Sequence, residues 1–221
     1  GASVRATLDT LHLRGELPTS TTTPLTLRAG GTLSPERLIV RALQLDAPHS
    51  RLRSQGQVQF ARDPLAPTTD SLTTTLSSTT FTLQADSLAI ADLVPFVPSL
   101  APAANEVHRG TVQIEQEDAQ WRLRGTGSVN TGGTWQANAS ARRPAAGDSL
   151  RYTSDLSVSG YETQLPGVRT RLNAKLRADL AGPAHNALSG TATFAMHDAQ
   201  VDTMRIDTLG IAATATEGDR K

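Results

Sequence analysis

From Arg171 to Leu180 the chain alternates strictly. Leu172, Ala174, Leu176, Ala178 and Leu180 are apolar, and Arg171, Asn173, Lys175, Arg177 and Asp179 lie between them. A helix would scatter those five apolar residues around its circumference, whereas an extended strand places them all on one face. The same period of two runs through Gln57-Val58-Gln59-Phe60, Thr111-Val112-Gln113-Ile114 and Thr191-Ala192-Thr193-Phe194. It also runs through Trp121 and Leu123, and from Trp135 to Ala141. Thr at the polar positions suits a pleated surface through its β-branch. The main competing helix signal is Ser34-Pro35-Glu36-Arg37, with proline at a first helical position. Leu38, Val40, Leu43 and Leu45 nevertheless alternate with one slip at Ala42, which predicts a strand carrying a bulge.

Two short patterns recur. One is Asp-Ser/Thr-Leu/Met, at Asp9, Asp70, Asp86, Asp148, Asp202 and Asp207. Asp and Ser side chains bond nearby backbone amides, so the pattern predicts turns that launch strands. The other is Gly-x-apolar-x-apolar, at Gly56, Gly110 and Gly190, where glycine permits a bend as a strand begins. The copies are separated by 54 and 80 residues, too unevenly for a propeller or a fixed-period solenoid. The expected fold is all-β: a single domain over residues 1–221, built as a long, twisted sheet of meandering strands. One interruption is expected near residues 88–103, where Pro95, Pro98 and Pro102 forbid a central strand or a long helix. A single helical turn near Ala89–Leu93 and a proline-stiffened loop would cover an end or edge of the sheet; the alternative is a loop that touches membrane.

Composition removes several function classes. Twenty-one Lys and Arg balance twenty-one Asp and Glu, so no basic field for nucleic acid exists. There is no cysteine, which excludes disulfides, thiolate zinc sites and cysteine catalysis. The nineteen Arg against two Lys read as genome composition more readily than as head-group contacts of Arg142-Arg143. No stretch reaches the roughly 20 apolar residues that cross a bilayer. The opening Gly1-Ala2-Ser3 has no signal-peptide character, and the expectation is a piece of a longer protein.

Catalytic chemistry is not expected. His12, His49, His108, His185 and His197 follow no ligand spacing, and no Gly-x-Ser-x-Gly elbow is present. His197-Asp198 is expected in a turn after a strand ending at Met196. Glu115-Gln116-Glu117-Asp118 reads as a solvated hairpin tip rather than a calcium site. Gly125-Thr126-Gly127 and Asn130-Thr131-Gly132-Gly133 read as hairpin turns, because strands rather than a helix N-terminus follow them. No metal or cofactor is implied. What remains is the sheet, whose apolar face must be buried somewhere. With eight aromatic residues and hardly any helix, no second layer is evident. Either the sheet folds over on itself or its apolar face holds something apolar.

The sequence resembles the AsmA-like superfamily, and its TamB branch in particular. The resemblance rests on Asp86-Ser87-Leu88-Ala89-Ile90 and on the phrase Ser50-Arg51-Leu52-Arg53-Ser54-Gln55-Gly56-Gln57-Val58-Gln59-Phe60. It rests also on Ala91-Asp92-Leu93-Val94-Pro95-Phe96 leading to Gly110-Thr111-Val112-Gln113-Ile114. It implies an elongated, taco-like (U-shaped) antiparallel sheet with an apolar concave groove, in a periplasmic protein anchored in the bacterial inner membrane. It implies a role in moving phospholipids toward the outer membrane, with an outer-membrane β-barrel assembly protein engaged through parts outside this segment. On that reading Val58, Phe60, Val112, Ile114, Leu123 and Phe194 line the groove and meet phospholipid acyl chains. The alternative is a structural or adhesin-like extracellular β-domain with no ligand.

Overall fold

In the computed structural model, residues 6–17, 23–61, 76–142, 149–165, 168–182 and 188–215 are described. They form twelve strands, all antiparallel, with helical structure confined to two 3-10 turns. The chain divides into two compact units, residues 1–118 and 119–221. The first holds β1 (Ala6–Leu17), β2 (Thr23–Leu33), β3 (Arg37–Asp46), β4 (Arg51–Phe60), β5 (Leu76–Ala89) and β6 (Val107–Glu117). The second holds β7 (Gln120–Val129), β8 (Thr134–Arg142), β9 (Leu150–Leu165), β10 (Val168–Gly182), β11 (Ser189–Val201) and β12 (Met204–Ala215). Within each unit the strand order is the sequence order, with no crossover. Consecutive strands usually lie side by side, and here each strand pairs on its predecessor's edge within its unit to give a meander.

Ser34-Pro35-Glu36-Arg37 closes the β2–β3 hairpin instead of opening a helix. Ser34 Oγ donates to the Arg37 carbonyl at 3.1 Å, and the Arg37 amide donates back to Ser34 Oγ at 3.2 Å. The bulge expected at Ala42 is present: Val40 pairs with Gly56 and Leu43 with Ser54, so Arg41 and Ala42 together oppose Gln55.

The Asp-Ser/Thr-Leu pattern acts differently from expectation. Among the described copies only Asp202-Thr203 forms a turn that launches a strand, ahead of β12. Asp9-Thr10 and Asp86-Ser87 lie inside β1 and β5 as the doubled residues of bulges, and Asp207-Thr208 is plain β12. Ser149-Leu150 opens β9, whereas Asp70-Ser71-Leu72 and Asp148 lie outside the described residues. Short polar side chains that bond backbone suit the irregular backbone of a bulge as well as that of a turn.

Bulges align across the second unit. Between Leu172 and Ala174 one residue of β10 opposes Ser159 and Gly160 of β9. Between Asn173 and Arg171 one residue opposes Asp198 and Ala199 of β11. Gly160 and Asp198 take positive φ, 61° and 45°. Asn173 serves both sites, accepting from the Gly160 amide at 2.7 Å and donating to the Asp198 carbonyl at 3.4 Å. His197-Asp198 therefore belongs to a bulged β11 and not to a turn. Gly125 and Gly127 are interior to β7, and only Asn130–Gly133 forms the expected hairpin connection. Glu115 and Glu117 are strand residues of β6, and Asp118 alone turns, with φ 51°.

The proline-rich interruption is two 3-10 turns, Ile90–Asp92 and Pro98–Ala103. It is held to the end of the first unit. Asp92 Oδ2 accepts from Ser50 Oγ at 2.6 Å and from the His49 amide at 3.1 Å, while Ser50 Oγ accepts from the Ala89 amide at 3.0 Å. These bonds tie the segment to the β3–β4 connection, and Phe96 and Val97 are exposed.

Candidate functional site: an apolar sheet face

Strand register sorts the side chains, because residues opposite one another in antiparallel strands share a face. In the first unit Leu27, Leu45, Leu52 and Ala85 form one row across β2 to β5. Ala29, Leu43, Ser54, Leu83 and Val112 form the next, followed by Gly31, Val40, Gly56, Phe81 and Ile114. The following row is Leu33, Leu38, Val58, Thr79 and Gln116. It ends in a polar pair that is buried and satisfied: Thr79 Oγ1 donates to Gln116 Oε1 at 3.1 Å. Thus Val58 and Phe60 of β4 share a face with Val112 and Ile114 of β6. Leu83 and Phe81 of β5 share that face, directly opposite Val112 and Ile114. Gly56 is required here, since an added Cβ would strike the Thr80 carbonyl and the Phe81 ring.

In the second unit Leu123, Ala139, Ser154, Ala178, Ala192 and Ala213 make a row of mostly small residues. Beside it runs a row of larger ones: Gly125, Ala137, Leu156, Leu176, Phe194 and Ile211. Leu123 and Phe194 are therefore on one face, in adjacent rows, near opposite sides of the unit. Sequence reasoning singled out β10 for its alternation yet left Leu176 off the site. It also missed Phe81 and Leu83, whose signal was the alternation with Thr82 and Gln84.

Among the described residues little covers these faces. The extensive contacts of each strand are with its ladder neighbours. Among the described residues the buried apolar side chains are Ala89, Val129 and Ala199, and no large side chain is fully buried. Leu83, Leu156 and Leu176 remain 37%, 38% and 39% exposed, and Ile211 56%. In a sheet packed on a second layer such residues would be nearly inaccessible. Each is covered laterally by its own row and is open above.

The opposite face is polar and ion-paired. On β9 and β10 Arg177 Nε meets Asp155 at 2.8 Å, Lys175 Nζ reaches the same carboxylate at 3.3 Å, and Arg151 grips Asp179 through two bonds of 2.8 and 3.2 Å. The bond from Arg177, then that from Lys175, holds Asp155 below the usual carboxylate range. The Arg151 bond does the same for Asp179. For Asp46 partial desolvation pushes upward, but bonds from Arg51 and Gln44 and the charge of Arg28 outweigh it and leave the group lowered. A hollow of about 700 Å3 opens on this polar side of the second unit, edged by Arg122, Arg124, Asp155 and Arg177. A twisted sheet is saddle-shaped, so each face is concave along one diagonal.

Among the described residues no group of three His, Asp or Glu is placed to hold a metal ion. No helix among them is long and apolar enough to cross a membrane. Compared with protein-family models, curated proteins and solved structures, the chain matches none.

Proposed function

We propose that this chain is a non-catalytic segment of a lipid-transfer bridge, in which the apolar face shelters phospholipid acyl chains while their head groups stay in water. The observation that supports this is the set of apolar rows on one face of each unit, whose Leu83, Leu156, Leu176 and Ile211 stay more than a third exposed. In the full reading the sheet is elongated and taco-like, with that face concave. The protein spans the periplasm from an inner-membrane anchor, and an outer-membrane β-barrel assembly protein is engaged elsewhere along it.

The energetics suit passage rather than storage. A methylene removed wholly from water contributes about 0.8 kcal/mol, so ten contribute roughly 8. A chain lying on an open face is desolvated on about one side, which halves this to roughly 4 kcal/mol before ordering costs. That corresponds to an affinity of about millimolar or weaker, with rapid exchange. The test is a methyl-labelled NMR titration with a short-chain phospholipid spin-labelled on its acyl tail. Paramagnetic broadening at Leu83, Val112, Ile114, Leu156 and Leu176, sparing Ile39 on the other face, is the expected result. Uniform broadening, or none, would favour a structural domain without ligand.

A further inference from the structure

Charge is shared unevenly over the polar side of the second unit. Arg122 and Arg124 sit two residues apart on β7, so both project to that side, roughly 7 Å from each other along the strand. Neither meets a carboxylate among the described residues; Arg122 donates to Gln120 Oε1 at 3.1 Å. The ladder sets Ser140 and Asn138 of β8 directly opposite them. The carboxylates that line the hollow of about 700 Å3 are Asp155 and Asp179, on β9 and β10, and both are already held, by Arg177 and Lys175 and by Arg151. Arg122, Arg124, Arg151, Lys175 and Arg177 thus share two carboxylates, in a chain whose formal net charge is zero. The surplus lies on β7.

The hollow therefore has two unlike ends. At β7 it offers guanidinium donors without an acid. At β10 and β11 it offers acceptors and hydroxyls, with Asp179 opposite Thr191 and Arg177 opposite Thr193. Midway, Ser140 and Thr153 share one hydrogen bond of 2.7 Å, which leaves one of their two hydroxyl hydrogens to donate elsewhere.

We propose that this hollow binds a phosphorylated disaccharide, with its phosphate between Arg122 and Arg124 and its hydroxyls over Thr153, Asp179 and Thr191. A guanidinium is a planar fork that matches phosphate oxygens, and two forks here converge on one anion. Asp155 and Asp179 repel a phosphate at their own end, which fixes the ligand's direction. Their oxygens keep lone pairs beyond the arginine bonds and accept from sugar hydroxyls. A uniform polyanion fits poorly, because the same carboxylates oppose it. A lipid tail fits poorly too, because the apolar rows lie on the other face of the sheet. From β7 to β10 is three strand spacings, about 14 Å, more than a single sugar ring covers. The volume is in the range of small-molecule sites.

The test is an amide NMR titration of the whole chain at pH 7 and low salt, with trehalose 6-phosphate, trehalose and inorganic phosphate as separate probes. Trehalose 6-phosphate is expected to give saturable shifts at Arg122, Arg124, Asn138 and Thr153, binding roughly tenfold or more tighter than either of the others. Arg122→Gln with Arg124→Gln should weaken it roughly tenfold or more, while circular dichroism keeps its β spectrum. Arg124→Gln alone serves should the double variant fail to fold. Thr153→Val should weaken trehalose 6-phosphate and leave inorganic phosphate unchanged. No saturable shift, inorganic phosphate bound as tightly as the sugar phosphate, or unchanged binding in the glutamine variants overturns the proposal. None of these substitutions touches the apolar rows, so failure here leaves the lipid reading standing.

Discussion

Leu176 sits mid-strand in β10, between Leu156 and Phe194, and keeps 39% of its surface in solvent. Full burial of a leucine side chain contributes about 1.5–3 kcal/mol, and Leu176 realises about three-fifths of that. Leu176→Ala should therefore cost about 1–1.5 kcal/mol, because no cavity forms on an open face. In a closed core the same change costs about 2–5 kcal/mol. Leu176→Glu is the sharper probe. On an open face the carboxylate swings into water, so the loss should exceed that of alanine by no more than about 1 kcal/mol. Under a second layer the unpaired charge would cost several kcal/mol and threaten the fold. Urea unfolding of the chain, followed by circular dichroism at neutral pH, measures both. A loss above about 3 kcal/mol for the alanine variant, or an unfolded glutamate variant, would refute the open face.

Other expectations follow from single contacts. Asn173→Ala leaves the Gly160 amide without its acceptor and should cost about 1–2 kcal/mol by the same unfolding measurement. Gly56→Ala forces the Thr80 carbonyl and the Phe81 ring apart and should cost about 1–3 kcal/mol, seen as a lower melting temperature. Asp155, Asp179 and Asp46 have folded-state pKa values below their unfolded ones, so their contribution is present above the unfolded value near 4. Stability should hold from pH 7 to about 5 and then fall as acid protonates these carboxylates. A melting-temperature series across pH tests this. Because the pairs are exposed, Asp155→Asn should remove no more than about 1 kcal/mol at neutral pH.

The strands were legible because period-two alternation is a strong signal wherever one face is wet and the other apolar. The β10 segment from Leu172 to Leu180 and the slip at Ala42 were both readable that way. Bulges elsewhere were not: Asp86-Ser87 carries turn chemistry, and only the pairing of Ala85 with Gly110 and Leu88 with His108 shows that the strand continues through it. Likewise Gly125 and Gly127 resembled a turn because the sequence does not show Ala137 and Trp135 lying opposite them in the ladder. Four of the six candidate residues belong to one face of the first unit, and two to one face of the second. Alternation assigns a face within a strand, but register alone joins faces between strands. That is why Leu83 and Leu176, central to the rows, were missed.

In the proposed bridge the apolar face, and not the polar one, meets acyl chains. A photo-crosslinking residue placed in turn at Thr111, Val112, Gln113 and Ile114 of β6, and at Thr193 and Phe194 of β11, samples both faces in living cells. Lipid adducts are expected at Val112, Ile114 and Phe194 and none at Thr111, Gln113 and Thr193, a period of two matching the strand. Adducts on both faces alike, or protein crosslinks in place of lipid at the apolar positions, would contradict it.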